Sequence, residues 1–245
     1  IANVIIAAPQ KSFLEKIRYA MKRLIGAYSL VILTEDTLYA VRDPLGVRPL
    51  CLGKLDVGWA IASESCALDH TTAQFMRDIE PNEIIAINAN GLQSYKEGSG
   101  KPSGLCIFEF IYFSRPDSVI EGRRVYSARE AMGAKLHQLH PIDADVAFGL
   151  PDSATAAGIG YAHESGIPYN EIMLKNRYVG RTFIEPHQRL RELGVQQKFN
   201  PMQERLKGKR VVLVDDSIVR GTTTPRVINL VRKSGATEVH MRICA

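Results

Sequence analysis

The distribution of apolar positions along the first part of the chain predicts one amphipathic helix followed by short strands. Ser12 and Glu15 have the spacing of a capping box, and apolar residues follow at helical intervals, which predicts a helix over 12–25. Short runs rich in β-branched and aromatic residues come next, separated by turn residues. They predict strands at 28–34, 37–42, 50–55, 59–63, 83–88 and 92–95. We therefore expect an antiparallel layer with one helix packed against it.

The pattern changes after a segment without apolar residues at 96–104, which contains three glycines and predicts a linker. We place a domain boundary there, giving domains at 1–100 and 101–245. In the second domain strands alternate with helices, which indicates a parallel, doubly wound sheet and an α/β class with an α+β first part. The predicted strands are 105–113, 145–149, 169–174, 211–214 and 238–243, and the predicted helices are 125–139, one that ends at Ser165 before Gly166, and 225–233.

The composition is that of a globular protein. Of the 245 residues, 45% are hydrophobic and 23% are charged, which excludes wholesale disorder. No apolar run is long enough for a membrane helix and the chain opens without an export signal, so we expect a soluble, cytoplasmic protein that binds no membrane. The four cysteines form no C-x-x-C pair and are expected to be reduced thiols.

The net charge of +5 is concentrated in one segment of the second domain. Residues 175–210 contain ten basic and three acidic residues, an excess of seven positive charges. An anionic ligand is expected at such a segment. A solvated helix face around 185–193 explains the same charges without a ligand.

The segment 211–223 carries the clearest indication of chemistry. It joins a buried strand to the start of a helix, and ligands bind at such carboxyl ends of parallel strands. Free backbone N–H groups, Gly221 and nearby hydroxyl groups predict a phosphate-binding turn. Asp215 and Asp216 would repel a phosphate, so sugar hydroxyls or a hydrated Mg²⁺ are their expected partners, and a sugar phosphate is the predicted ligand. An ordinary turn between strand and helix is the alternative, and it leaves the second aspartate, Arg220 and Gly221 without a role.

This segment, Val211-Val-Leu-Val-Asp-Asp-Ser-Ile-Val-Arg-Gly-Thr-Thr223, resembles the 5-phosphoribosyl-1-pyrophosphate (PRPP) motif of type I phosphoribosyltransferases. Blocks at 41–50, 106–118 and 175–184 resemble the amidophosphoribosyltransferase (glutamine PRPP amidotransferase) family, and the resemblance runs from Val4 to Ala245. It implies the latter part of an N-terminal-nucleophile glutaminase domain, built of antiparallel layers, at 1–100. A C-terminally incomplete type I phosphoribosyltransferase sheet is implied at 101–245. The implied activity is the synthesis of 5-phosphoribosylamine from PRPP and glutamine in de novo purine biosynthesis.

The resemblance also implies roles for individual residues. Asp215 and Asp216 would bind the ribose hydroxyls and Mg²⁺. Ser153 would meet the pyrophosphate and the metal, although its position before a helix fits an N-cap equally well. The 5-phosphate would be held by the residues that follow the aspartates, Ser217, Ile218, Val219, Arg220, Gly221, Thr222 and Thr223.

The basic segment at 175–210, called the basic block below, matches from Lys175 onward the mobile catalytic segment of the family. Lys175, Arg177 and Arg181 would neutralise the charge that develops on the departing pyrophosphate, while closure excludes water. Tyr178 would either cover the site or pack beneath the segment.

The remaining implications concern cofactors and partners. Cys106 matches the first of four thiolate ligands of a [4Fe–4S] cluster in one branch of the family, and a buried apolar thiol is the alternative. The implied partners are PRPP, ammonia derived from glutamine, and purine nucleotides as feedback inhibitors. A homo-oligomer is expected, and nucleic acid is not.

One departure from the family pattern concerns the first residue. The family hydrolyses glutamine with an N-terminal cysteine, whereas this chain begins at Ile1, so we expect an internal segment that does not hydrolyse glutamine. One alternative function is a non-catalytic regulator on the same fold that senses PRPP or binds nucleic acid through the basic block. A base-salvage phosphoribosyltransferase is a further alternative, but it leaves residues 1–95 unexplained.

Overall fold

The computed structural model describes residues 1–96, 103–176, 178, 198–219, 221 and 223–245. The chain divides into two compact units. Unit 1 comprises Ile1–Glu109 and Ser118–Gly122, and unit 2 comprises Phe110–Asp117 and Arg123–Ala245. Residues 97–102 of the predicted linker lie outside the described residues. Within the described ranges, no helix has the length and apolar character needed to cross a membrane.

Unit 1 is built of two antiparallel sheets with short helices. One sheet has four strands in the order β1-β2-β6-β7, and the other has three in the order β4-β3-β5. The strands are β1 (Ser29–Leu33), β2 (Leu38–Arg42), β3 (Cys51–Lys54), β4 (Trp59–Ala62), β5 (Gln74–Asp78), β6 (Glu83–Asn88), β7 (Gly91–Lys96) and the two-residue β8 (Val119–Ile120). The helices are α1 (Ala2–Ile6), α2 (Phe13–Met21) and α3 (Ser65–His70).

The four-stranded sheet is apolar on both faces, which places it in the middle of unit 1. Val41 and Ile84 are paired across β2 and β6, and they pack with Ile17 and Met21 of α2. The neighbouring pair, Ala40 and Ile85, points to the opposite face of the sheet because successive side chains alternate along a strand. That pair packs against residues of the three-stranded sheet, in a cluster that contains Ala40, Ile85, Leu50, Leu52 and Ile79. The predicted helix and antiparallel layer are thus confirmed.

Several local predictions for unit 1 are corrected. Helix α2 ends at Met21 rather than at residue 25, and Ser12 makes no side-chain capping bond. The Glu15 carboxylate, which the capping box would use, instead accepts a hydrogen bond from Arg18. Helices α1 and α3 and strand β5 were not predicted.

The turn after β2 is stabilised by two buried charged side chains. The Arg42 guanidinium donates to three backbone carbonyl oxygens, those of Gly46 (2.8 Å), Arg48 (3.0 Å) and Ile79 (2.6 Å). The Asp43 carboxylate accepts backbone N–H groups of residues 28, 45 and 47 at 2.9–3.3 Å. These bonds give both charges polar partners where water is excluded, and they hold the turn against β1.

A second buried carboxylate links strands β5, β6 and β7. Glu83 is fully buried, and it accepts two hydrogen bonds from Arg77 (2.7 and 2.8 Å) and one from Ser94 (2.5 Å). Burial by itself raises the pKa of Glu83, but the hydrogen bonds from Arg77, Ser94 and the backbone N–H of Glu80 outweigh it and hold the pKa below its ordinary value.

We expect Glu83→Gln to lower the free energy of unfolding by about 2 kcal/mol at pH 7, because an amide cannot accept all of these bonds. A lowered pKa in the folded state stabilises above the pKa of the unfolded chain and is lost as the pH falls through the folded value. The difference between the variant and the unaltered chain should therefore shrink below about pH 4. Urea unfolding at pH 7 and pH 3 measures this difference in the free energy of unfolding. Glu80→Gln, at an exposed position, is the control. An equal loss at both pH values would contradict the role of the charge.

Unit 2 contains a parallel sheet and a separate antiparallel ribbon. The sheet has the order β10-β13-β14, and β11 pairs with β12 in the ribbon. The strands are β9 (Arg123–Arg124), β10 (Val146–Gly149), β11 (Met173–Lys175), β12 (Phe199–Pro201), β13 (Arg210–Asp215) and β14 (Glu238–Ile243). The helices are α4 (Val125–Leu139), α5 (Thr155–Ser165), α6 (Gln203–Leu206) and α7 (Thr224–Lys233).

The parallel sheet of unit 2 is covered on both faces, as predicted for a doubly wound sheet. Val211 and Leu213 of β13 pack on one face with Val227 and Val231 of α7. Val212 and Val214 pack on the other face with residues of α5. The α/β prediction is therefore confirmed.

Helices α4 and α5 approach each other closely at two glycines. A Cβ atom at Gly133 would lie 1.8 Å from the carbonyl oxygen of Ala157, and one at Gly160 would lie 2.0 Å from that of Glu130. Only glycine permits this separation of the two helix backbones.

The predicted strand at 105–113 is wrong, and the one at 169–174 is confirmed only in part, where β11 begins at Met173. A short π-helix at Glu109–Phe113 occupies part of the predicted aromatic strand at 105–113. Arg129 of α4 is buried and donates to the carbonyl oxygens of Phe110 (2.7 Å) and Ser114 (2.8 Å), which a strand would need for its ladder. In the predicted strand at 169–174, only Tyr169 bridges the sheet, at Ala147, and the chain then enters the antiparallel β11.

Candidate functional site

The candidate site lies at the carboxyl end of β13, the central strand of the parallel sheet. Asp215 is the last residue of the strand, and Asp216 follows it; both are buried. The backbone N–H groups of Cys244 and Ala245 donate to the carbonyl oxygens of Asp215 and Asp216, each at 3.1 Å. These two bonds lie just beyond the last registered pair, Asp215 and Ile243, and they tie the backbone under both carboxylates to the residues that follow β14.

Two hydroxyl groups orient the second carboxylate. Ser153, from the loop after β10, donates to Oδ2 of Asp216. Ser217 donates to Oδ1 of the same side chain at 2.6 Å. The backbone N–H of Asp216 donates to Oδ1 of Asp215 at 2.9 Å. The two carboxylates are therefore fixed relative to each other before any ligand binds.

The electrostatics of the pair favour a cation. Burial and the neighbouring Asp216 charge raise the pKa of Asp215 to about 7, against the opposing effects of the Asp216 N–H and Lys198. Burial, followed by the same two carboxylates, raises the pKa of the Cys244 thiol to about 11. Among the described residues no salt bridge reaches either aspartate, so a cation bound between them would relieve their repulsion.

The carboxylate oxygens of Asp215 and Asp216 fit a hard divalent cation that takes most of its ligands from water or from substrate. Carboxylate oxygens suit Mg²⁺, which is often bound by one or two carboxylates together with water and substrate phosphates. In the described ranges no group of three or more histidine, cysteine, aspartate or glutamate residues could hold a metal ion. Asp215 and Asp216 would thus need oxygens from a ligand or from water to complete the coordination.

The residues after the aspartates form an open turn at the start of α7. The side chains of Ile218 and Val219 are exposed, with Val219 at 86%. Gly221 has φ +66°, a conformation that favours glycine, and Thr223 is the N-cap of α7 without using its hydroxyl as a cap. Arg220 and Thr222 lie outside the described residues. The exposed backbone and hydroxyl at a helix start suit a phosphate.

The loop between β10 and α5 brings a third strand end to the site. The Leu150 N–H donates to the carbonyl oxygen of Val214 at 2.8 Å, and a Cβ at Gly149 would meet the Ala154 carbonyl oxygen at 2.1 Å. Ala154 is the N-cap of α5, so the alternative that Ser153 caps this helix is wrong. The Ser153 hydroxyl is directed to Asp216 instead.

The structure describes the two ends of the basic block, residues 175, 176 and 178 at its start and 198–210 at its end. Lys175, the last residue of β11, forms an ion pair with Asp152. Tyr178 is fully exposed. The segment that it would cover the site with or pack beneath lies outside the described residues, so both roles stay predictions. Arg177, Arg181 and the predicted helix face at 185–193 lie outside the described residues.

Sequence reasoning missed the contributions of Asp152 and Lys198. Asp152 directly precedes Ser153, the residue of this loop for which the sequence predicts a role. Lys198 precedes β12, and its positive charge opposes the rise in the pKa of Asp215. The excess of basic residues was the available signal for Lys198.

Cys106 lies in unit 1, half-buried and separate from the acidic pair in sequence. Its N–H donates to the carbonyl oxygen of Val47, and its own carbonyl oxygen accepts the N–H of Glu109, both at 3.0 Å. In the described part of the chain, Cys106 belongs to no group of three possible metal ligands. These residues alone therefore do not form an iron–sulfur site.

The parallel sheet, with a buried acidic pair and an open turn at the end of its central strand, defines a phosphoribosyltransferase-type α/β unit. A family profile for a glutamine amidotransferase domain matches residues 2–70. The chain is 51% identical over 220 residues to the amidophosphoribosyltransferase of Mycobacterium tuberculosis, covering 90% of this chain and 42% of that protein. It is 49% identical to that of Methanocaldococcus jannaschii (94% of this chain, 52% of that protein). Over nine tenths of its length, the chain is thus similar to amidophosphoribosyltransferases.

Solved structures agree with this assignment. The glutamine PRPP amidotransferase from B. subtilis, solved in complex with ADP and GMP, superimposes with a TM-score of 0.92 at 45% identity. It is matched over 100% of this chain and 54% of its own. A structure described as the allosteric regulatory enzyme of purine biosynthesis gives a TM-score of 0.90 at 45% identity, over 100% of this chain and 52% of its own. The chain spans about half the length of the relatives that it matches.

Proposed function

We propose that the carboxyl end of β13 binds PRPP, and that the chain is the PRPP-binding segment of an amidophosphoribosyltransferase of de novo purine biosynthesis. The observation that supports this most directly is the buried pair Asp215 and Asp216, oriented by Ser153 and Ser217 beside an open helix start. A ligand that joins sugar hydroxyls to a phosphate satisfies both halves of this arrangement.

The proposed reaction replaces the pyrophosphate of PRPP by ammonia derived from glutamine. The nitrogen lone pair forms a bond to C1 of the ribose while the bond from C1 to the pyrophosphate oxygen breaks. That bonding pair leaves with pyrophosphate, and the new amine loses a proton to water. Asp215 and Asp216 would hold the ribose hydroxyls, residues 217–223 the 5-phosphate, and Lys175 with Arg177 and Arg181 the pyrophosphate.

Mg²⁺ is the proposed metal, held by Asp215 and Asp216 with Ser153 close by. When bound, it would neutralise charge on the diphosphate. The protein's own contribution is to orient both carboxylates and hold them adjacent where a diphosphate arrives. Cys106 as a ligand of a [4Fe–4S] cluster remains a prediction, since it would need thiolates from outside the described residues.

The remaining parts of the function follow from the relatives. The glutamine amidotransferase match at residues 2–70 supports a glutaminase origin for the first domain at 1–100 and glutamine as the source of ammonia. The B. subtilis relative was solved with ADP and GMP, which supports purine nucleotides as regulators of this protein too. A non-catalytic regulator that binds nucleic acid gains no support, because the matched relatives are named as enzymes. The homo-oligomeric state remains a prediction.

We expect saturable binding of PRPP to this chain in the presence of Mg²⁺, with ribose 5-phosphate and pyrophosphate each competing for part of the site. Calorimetry measures the affinity, and unphosphorylated ribose is the matched control ligand. With an ammonium salt as the nitrogen source, PRPP-dependent release of pyrophosphate is the expected activity. Failure of PRPP to bind at millimolar concentration would rule out the proposed site.

A further inference from the structure

Asp152 forms an ion pair with Lys175, and it lies in the same loop as Ser153. The two neighbouring residues serve different strand ends: Ser153 donates to Asp216 after β13, whereas Asp152 binds Lys175 at the end of β11. Because consecutive Cα atoms lie about 3.8 Å apart, this loop makes its contacts with the lysine and with the acidic pair from adjacent positions. The ion pair therefore stands at the edge of the candidate site.

The two partners of this ion pair differ in exposure. The Asp152 side chain is 77% exposed, while that of Lys175 is 31% exposed. An exposed carboxylate can leave its partner and be solvated at little cost, so the pair contributes little to stability. Lys175 is more restricted, because its backbone is paired with Phe199 in the β11–β12 ribbon. An incoming anion can thus replace Asp152 while the lysine keeps its place.

We propose that the Asp152 carboxylate holds Lys175 in position when no ligand is bound, and that it competes for Lys175 with the diphosphate group of the ligand. This inference rests on the proposed function, because it assumes that a diphosphate occupies the site. Asp152 sets the affinity of the Lys175 side of the site: any anion that takes the lysine must first displace the carboxylate. When pyrophosphate leaves, Asp152 returns to the lysine and favours product release.

The proposal predicts that Asp152→Asn strengthens the binding of pyrophosphate by about two- to five-fold, the range expected for an exposed ion pair. A residue that only shaped the loop would give weaker binding when changed. Ribose 5-phosphate, which would use residues 217–223 and not Lys175, should change by less than about two-fold, because solvent screens the lost charge. Asp152→Glu keeps the anion and should restore the original affinity.

The experiment measures the binding of pyrophosphate and of ribose 5-phosphate, without metal and at constant ionic strength, to the 245-residue chain and its variants. Asp152→Asn is also made in a Lys175→Gln background, where the gain should disappear. An equal gain in that background would show that Lys175 is not involved and would overturn the proposal. Unchanged or weaker pyrophosphate binding by Asp152→Asn would overturn it as well, while leaving the proposed function intact. If the unaltered chain binds no pyrophosphate under these metal-free conditions, the proposal is overturned, whereas the proposed function is tested separately by the binding of PRPP in the presence of Mg²⁺.

Discussion

Replacing either buried aspartate by asparagine is expected to abolish the Mg²⁺-dependent binding of PRPP, with a loss of about 100-fold or more in affinity. Asp215 and Asp216 are the two carboxylates whose charge a cation would neutralise, and an amide supplies neither the charge nor both acceptor oxygens. Asp216→Asn would in addition place a donor where Ser153 and Ser217 donate. A loss of this size corresponds to about 3 kcal/mol of binding free energy.

Calorimetric titration of PRPP with and without Mg²⁺ measures this effect. Asp143→Asn is the matched control, since Asp143 precedes β10, at the end of the sheet remote from the candidate site, and is exposed. Folding stability should not fall in the Asp215 variant, because a neutral side chain removes the repulsion between two buried carboxylates. Unchanged Mg²⁺-dependent affinity in both variants would refute the assignment of the site.

The second large effect is expected where α4 and α5 meet. Gly133→Ala and Gly160→Ala should each lower the free energy of unfolding by about 3 kcal/mol, because the added methyl group would overlap a backbone carbonyl oxygen. The better helix propensity of alanine returns only about 1 kcal/mol. Backbone cannot rotate away as a side chain can, so the helices must separate and the packing of α5 on the parallel sheet weakens.

Urea unfolding of the two variants measures the loss. Gly104→Ala is the control, since its added Cβ would meet its nearest atom, Cβ of Leu45, at an ordinary 3.4 Å. If the helix variants unfolded like this control, the close approach of α4 and α5 would not be real.

The sequence predicts correctly those elements whose conformation depends on nearby residues or whose side chains are uniformly apolar. Helix α4 and strand β14 were predicted with the bounds they have, and β13 was recognised from a β-branched run that is buried on both faces. The aromatic segment before Ser114 was not, because its conformation depends on Arg129, a buried donor supplied by a later helix. Strand β5 escaped prediction because its residues are mostly polar and its apolar Met76 faces solvent.

The same distinction applies to the candidate site. Adjacent acidic residues at a strand end, followed by hydroxyls and a glycine, are visible in sequence because the whole arrangement spans a few residues. The contact of Ser153 with Asp216 joins residues 63 positions apart, and that of Asp152 with Lys175 joins residues 23 apart. Such pairings depend on the order of strands in the sheet and on the antiparallel turn into β11, neither of which the pattern of single residues specifies.

The buried Arg42 has a consequence for how unit 1 reaches its folded state. Its three acceptors lie four, six and 37 positions away in the chain, so no local turn can satisfy the guanidinium. A partly folded intermediate that buried this charge before residue 79 arrived would leave donors without acceptors, at a cost of several kcal/mol. We therefore expect burial of Arg42 and docking of the segment around residue 79 to occur in the same cooperative step rather than one after the other.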